Sequence, residues 1–208
     1  MSISIFIFRR DFRIIDNTSL QILLKSKDKI LPIFIFNKKQ IDRNINKYYS
    51  ENCVEFMFQS LKEISPINYY YTTNDDITIL NELKRKFNIG TIAFNKDYTP
   101  FAKKRESMIE KLCKQNNISF FKFEDHMLTG VDAVKKLDGG LYSVFTPYYR
   151  AGMKLKKREP VKNHYKNYIS KNTTSLLINI STINHSKNIS LSLYFSYDFN
   201  IASHSIIL

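Results

Sequence analysis

Two kinds of apolar pattern alternate along this chain. Continuous runs at residues 3–8, 30–36, 67–72, 91–95 and 118–123 have the length and the β-branched and aromatic content of strands. Between them, apolar residues recur at intervals of three and four, the spacing of one helix face. Val54, Met57, Phe58, Leu61 and Ile64 form such a stripe after Ser50, a residue suited to cap a helix. Ile77, Leu80, Leu83 and Phe87 form another after Asp75 and Asp76, and Met108, Ile109, Leu112 and Cys113 a third after Pro100. A shorter helix is expected over 18–25, capped by Asp16 or Asn17. Residues 37–49 read as a long polar loop, and Gly90 as the end of a turn before the fourth strand. Strands that alternate with helices, and are apolar along their whole length, predict an α/β fold: a Rossmann-like five-stranded parallel sheet with helices on both faces.

After residue 124 the alternation stops. Gly130, Gly139 and Gly140 mark turns, an aromatic segment occupies 141–152, and basic residues follow. The expected organisation is an α/β domain over 1–130, a basic aromatic linker over 131–170 and a low-complexity tail over 171–208. In the tail Asn, Ser and Ile dominate, and disorder is expected. The stable unit should end near residue 155.

Composition narrows the function classes. The chain is 43% hydrophobic and 14% aromatic, enough for a sizeable core. No stretch approaches the roughly 20 apolar residues of a membrane helix. The N-terminus enters a strand with no basic segment before it, so an intracellular protein without a secretion signal is expected. Cys53 and Cys113 both fall in helical patterns and read as core thiols, and the four His residues show no metal-ligand spacing. The net charge is +13. Arg150, Lys154, Lys156, Lys157 and Arg158 concentrate it in one stretch, which is either a solvated linker or a contact for a phosphate backbone.

Candidate chemistry gathers at the first strand-to-helix turn, Phe8-Arg9-Arg10-Asp11-Phe12-Arg13. Ligands of parallel sheets bind outside the carboxyl ends of the strands. Here the glycine-rich phosphate loop usual at that place is replaced by arginines and an aspartate. They form either an internal ion-pair network or the wall of a pocket. Asp75 and Asp76 read as helix capping, Tyr69, Tyr70 and Tyr71 as sheet packing, and Asp97 as a turn residue or a pocket acceptor.

The turn, followed by Asp16-Asn17, resembles the opening of the DNA photolyase/cryptochrome family. Leu31-Pro32-Ile33-Phe34-Ile35-Phe36, Asn95-Lys96-Asp97-Tyr98-Thr99-Pro100-Phe101-Ala102 and Tyr142-Ser143-Val144-Phe145-Thr146-Pro147-Tyr148-Tyr149 are similar to later segments of the same domain, in the same order. The resemblance covers residues 1 to about 155. It implies an α/β domain that supports a light-harvesting antenna, a folate, deazaflavin or flavin, with Phe8, Arg9, Asn37, Asp97 and Phe101 around its pocket. Asp97 matches the acidic position of the deazaflavin-binding type, Cys53 stands where that type carries an arginine, and Phe101-Ala102 replace the Asn-Glu pair of a folate-binding type. The resemblance further implies that FAD and the lesion site belong to a helical second domain. The chain is therefore expected to be the N-terminal half of a photolyase, inactive alone or dependent on a separately encoded FAD-binding half. DNA would be bound weakly, or only by the whole enzyme. A non-catalytic chromophore- or nucleotide-binding module of cryptochrome type and a vestigial fragment are the alternatives.

Overall fold

The computed structural model describes residues 2–169 apart from 27, 65–66 and 73–74, and only the backbone of 62 and 68–72. The tail expected over 171–208 lies outside the described residues, as do the side chains of Tyr69, Tyr70 and Tyr71.

Five parallel strands, β1 (Ile3–Phe8), β2 (Lys29–Asn37), β3 (Asn68–Thr72), β4 (Ile89–Asn95) and β5 (Ser119–Phe123), form one sheet in the order β3-β2-β1-β4-β5. Helices α1 (Thr18–Leu24), α2 (Lys38–Ile41), α3 (Glu51–Lys62), α4 (Asp76–Lys86) and α5 (Pro100–Gln115) connect them, and α6 (Phe145–Lys154) follows. Every residue of β1 is buried, as a central strand covered on both faces requires. α1 packs over β1, β4 and β5, and α4 and α5 contact β2, β3 and β5. The caps follow ordinary rules: the side chains of Asn17, Ser50, Asp75 and Thr99 each accept a backbone N–H at the start of α1, α3, α4 and α5.

Four details differ from the sequence reading. The stretch 37–49 is not all loop, because Asn37 caps the short α2. Gly90 lies inside β4, where the register with β1 shifts between Ile3 and Ser4. A Cβ on Gly90 would lie 3.3 Å from the Ser2 side chain, so a small residue suits this close approach. Residues 156–169 are bonded back onto the sheet. Asn163 Nδ2 donates to Ile14 O at 2.9 Å, and Tyr168 forms a parallel bridge with Ile30. That bridge meets β2 just before its pairing with β3 begins at Ile33, and Pro32, which has no N–H, falls between the two. Residues 1–171 accordingly form one compact unit. Cys113 is buried, which pushes its thiol up to about 11, whereas Cys53 is exposed rather than a core thiol.

Candidate functional site

The carboxyl ends of β1, β2 and β4 open into a crevice of about 440 Å³. Phe8, the last residue of β1, forms its floor with Phe12 and Phe34, whose rings meet edge to face at 5.5 Å. α3 supplies Cys53, Val54, Phe56 and Met57, and the start of α5 supplies Thr99, Phe101 and Arg105. Of the residues expected at the pocket, Phe8, Arg9, Asp97 and Phe101 line this crevice. Asn37 does not, and lines a neighbouring one instead.

The arginine side chains of the turn form their ion pairs outside it, with Glu106, Asp97 and Asp125 rather than with Asp11. Arg9 reaches across to α5, where Nη1 donates to Glu106 Oε1 at 2.7 Å, and its guanidinium lies 3.6 Å over the Phe94 ring. Burial, and then the nearby charge of Arg105, pull the Arg9 pKa down to about 10 despite Glu106. Asp11 takes neutral donors. Its Oδ1 accepts the Arg9 N–H at 3.0 Å and its Oδ2 accepts Asn17 and Asn95 amides at 3.0 and 2.5 Å. Asn95 Oδ1 in turn accepts the Ser19 N–H at 3.0 Å, which ties the ends of β1 and β4 to α1. Arg13 donates to Asp125, whose Oδ1 also accepts the Thr18 N–H and hydroxyl. Arg10 remains largely exposed, its Nε 3.7 Å from Asp97 Oδ2.

Glu106 holds three groups: Arg9, the Lys122 ammonium at 3.1 Å and the Asp97 N–H at 3.2 Å. The Asp97 carboxylate sits just past the end of β4 as a result, with Oδ1 accepting the Thr99 N–H at 3.1 Å. Asp75 is the cap that the sequence suggests. Asp76 is more than that: its side chain is 3% exposed, faces the crevice and lies 3.6 Å from Arg105 Nη1. Burial raises its pKa, against the opposing pull of Arg105.

Sequence reasoning missed Glu106, Asp76, Arg105, Asn95 and Asp125. Two of them carried a signal. Glu106 falls on the buried stripe Ala102-Glu106-Ile109-Cys113 of α5, and Asp76 on the stripe Asp76-Ile79-Leu80-Leu83 of α4. A carboxylate on an apolar helix face implies a buried cation.

The basic cluster divides. Arg158 is bonded to Asp16, and Lys157 donates to the carbonyls of Gly152 and Met153 at the end of α6. Arg150, Lys154 and Lys156 are exposed. The described residues contain no group of His, Cys, Asp and Glu able to hold a metal ion, and no helix long and apolar enough to cross a membrane.

The family model for DNA photolyase matches residues 4–165. The deoxyribodipyrimidine photo-lyase of Alkalihalophilus pseudofirmus is 31% identical over 160 residues, covering 74% of this chain and 33% of that protein. Cryptochrome-1 of Aedes aegypti is 26% identical over 145 residues, covering 64% of this chain and 26% of that one. Among solved structures, an archaeal photolyase from Sulfolobus tokodaii with two FAD molecules superposes with a TM-score of 0.71 at 31% identity. That match covers 89% of this chain and 42% of the archaeal one. The chain thus spans about a third of the length of the curated photolyase it matches and 42% of the archaeal one.

Proposed function

The chain belongs to the DNA photolyase family, and on that premise we propose that it is the chromophore-carrying α/β part of a photoenzyme that repairs pyrimidine dimers in DNA with light. The crevice at the strand ends carries this reading. Its volume is that of a small-molecule site, with apolar walls and few polar groups. A folate, deazaflavin or flavin ring matches that lining: Phe8, Phe12, Phe34 and Met57 would cover its faces, and Asp97 would meet its edge. Oδ1 of Asp97 is engaged by Thr99, and Oδ2, which has Arg10 Nε 3.7 Å away, would be the acceptor for a ring N–H. Arg9 and Glu106 act through position, because they set the Asp97 backbone. Bound there, the chromophore would absorb light and pass on the excitation. The archaeal neighbour supports this reading, since its structure is described as implying a novel light-harvesting cofactor.

Repair itself needs FAD and a pocket for a flipped lesion, and we assign both to a helical part on this chain or a separate one. The uncovered face of α6, with Phe145, Tyr149 and Met153 each more than half exposed, suits such a partner. DNA contact by Arg150, Lys154 and Lys156 would add only to binding by the whole enzyme. Similarity to a cryptochrome favours light sensing as the second reading. Dimer repair under blue light by the chain combined with its FAD-binding part would decide for repair.

Fluorescence titration with FMN and with a deazaflavin tests the crevice. Both should bind, and Asp97→Ala should weaken them about ten- to a hundredfold, the worth of a hydrogen bond to a charged group. Equal binding by wild type and variant would take Asp97 out of the site.

A further inference from the structure

The positive charge of the chain has a second centre, apart in sequence from the cluster at 150–158. α4 ends in Lys84, Arg85 and Lys86, all exposed. The exposed side of α5 carries Lys103, Lys104, Lys111 and Lys114. With 3.6 residues to a turn, these four fall within an arc of about 100° and cover about 16 Å of the helix. Ser107 lies inside the same arc. α4 and α5 pack on each other, and Lys84 Nζ donates to Asn116 Oδ1 just past the end of α5, so the two sets of cations make one face. The exposed carboxylates of the two helices are Glu82 and Glu110. Among the described residues their ion pairs are Asp76 with Arg105, Glu106 with Arg9 and Lys122, and Glu110 with Lys122. None of the cations of this face takes part in them.

Helix dipoles explain only some of these charges. A cation is favoured in a last turn, which accounts for Lys84, Arg85, Lys86 and Lys114. Lys103 and Lys104 stand near the N-terminus of α5, where the dipole disfavours them. The kind of partner follows from what the face lacks. A protein partner takes hold through buried anchors, often aromatic, and a membrane surface takes up an apolar helix face. Apart from Phe101 at the crevice, neither helix exposes a large apolar side chain. A phosphate backbone requires cations alone.

We propose that the α4–α5 face binds the phosphate backbone of duplex DNA, with no need of a lesion. Lysines act there as point charges, so the contact positions the duplex without reading its sequence. It is separate from the pocket that a flipped lesion requires, and it stands whether or not the crevice holds a chromophore.

Fluorescence anisotropy of the full chain with a short labelled duplex free of lesions, in the dark, tests this. Affinity should fall steeply with salt. In Lys103→Gln/Lys111→Gln/Lys114→Gln the slope of log affinity against log salt should shrink by about 2–3, since each phosphate contact contributes about 0.9. Calorimetry should show this variant melting close to wild type, because all three side chains are exposed. Arg150→Gln/Lys154→Gln/Lys156→Gln removes the same charge elsewhere and should leave the slope as it is. No binding at low salt, or an unchanged slope in the α5 variant, would overturn the proposal. An equal fall in both variants would also overturn it, since bulk charge would then explain the binding. Polyglutamate or phosphatidylserine vesicles that compete as well as DNA, charge for charge, would overturn the assignment to nucleic acid and make this a face for acidic protein or lipid.

Discussion

Glu106 sits between three positive or polar groups drawn from the turn after β1, from β5 and from the loop after β4, and its side chain is only 6% exposed. Its partner Arg9 is 3% exposed. Two buried charges of this kind gain little over a well-packed apolar pair, but either one alone is costly, because the remaining charge has neither water nor a counterion. Glu106→Gln should therefore destabilise the chain by about 3–5 kcal/mol, whereas Arg9→Met/Glu106→Leu should cost clearly less than that single change. Urea unfolding of wild type, Arg9→Met, Glu106→Leu and the double variant gives the coupling directly. A double variant as unstable as Glu106→Gln would show that Glu106 acts mainly through Lys122 and the Asp97 amide. The neighbouring network around Asp11 is of a different kind. It pairs one carboxylate with two amides and a backbone N–H, and it holds the turn without a second charge.

The elements were legible where local chemistry decides them. β1 runs over the apolar stretch 3–8 without an added residue, and Ser50, Asp75 and Asn17 cap the helices that their positions suggest. The site was legible only in part. Phe8, Asp97 and Phe101 could be placed because they flank strand ends, a local property. Arg9–Glu106 and Asp76–Arg105 join residues far apart in sequence, and no local pattern pairs them. The same limit hides the return of residues 156–169, whose polar, basic composition gives no strand or helix signal. Their attachment lies in single bonds: Arg158 to Asp16, the Val161 N–H to Asp16 Oδ1 at 3.0 Å, and the Asn167 amide to Asp28 O at 2.9 Å. Asp16 has φ of 53°, an uncommon conformation for a residue with a Cβ, and this strap engages both its side chain and its carbonyl. A chain ended at residue 155 should consequently melt several degrees below one ended at 169, since about 1–3 kcal/mol of lost bonds moves a domain of this size by roughly 2–12 °C. Identical melting temperatures in differential scanning calorimetry would show that the strap rests on the sheet without stabilising it.

At the scale of the molecule, a strongly positive chain carries an uncovered apolar face. The net charge is +13, and none of the residues of α6 is buried. Phe145, Tyr148, Tyr149 and Met153 recur at helical spacing, and Phe145, Tyr149 and Met153 are 72%, 52% and 54% exposed. Leu137 and Leu141 just before the helix are also exposed. Patches of this kind are uncommon on monomers and mark surfaces that associate. Two forces then oppose each other when the chain is alone. Like charges keep copies apart over about 10 Å at 0.1 M salt, and that distance shrinks to about 3 Å at 1 M, while burial of apolar area is not weakened by salt. The chain should therefore sediment as a monomer at low ionic strength and self-associate as salt rises, the opposite of an association driven by ion pairs. Phe145→Ser/Tyr149→Ser/Met153→Ser should abolish the salt-induced association. Because all three side chains are more than half exposed, the melting temperature should stay close to wild type. Sedimentation velocity across a salt series reads both outcomes. Association that weakens with salt, or that persists in the triple variant, would move the sticky surface away from α6, and with it the place proposed for a helical partner.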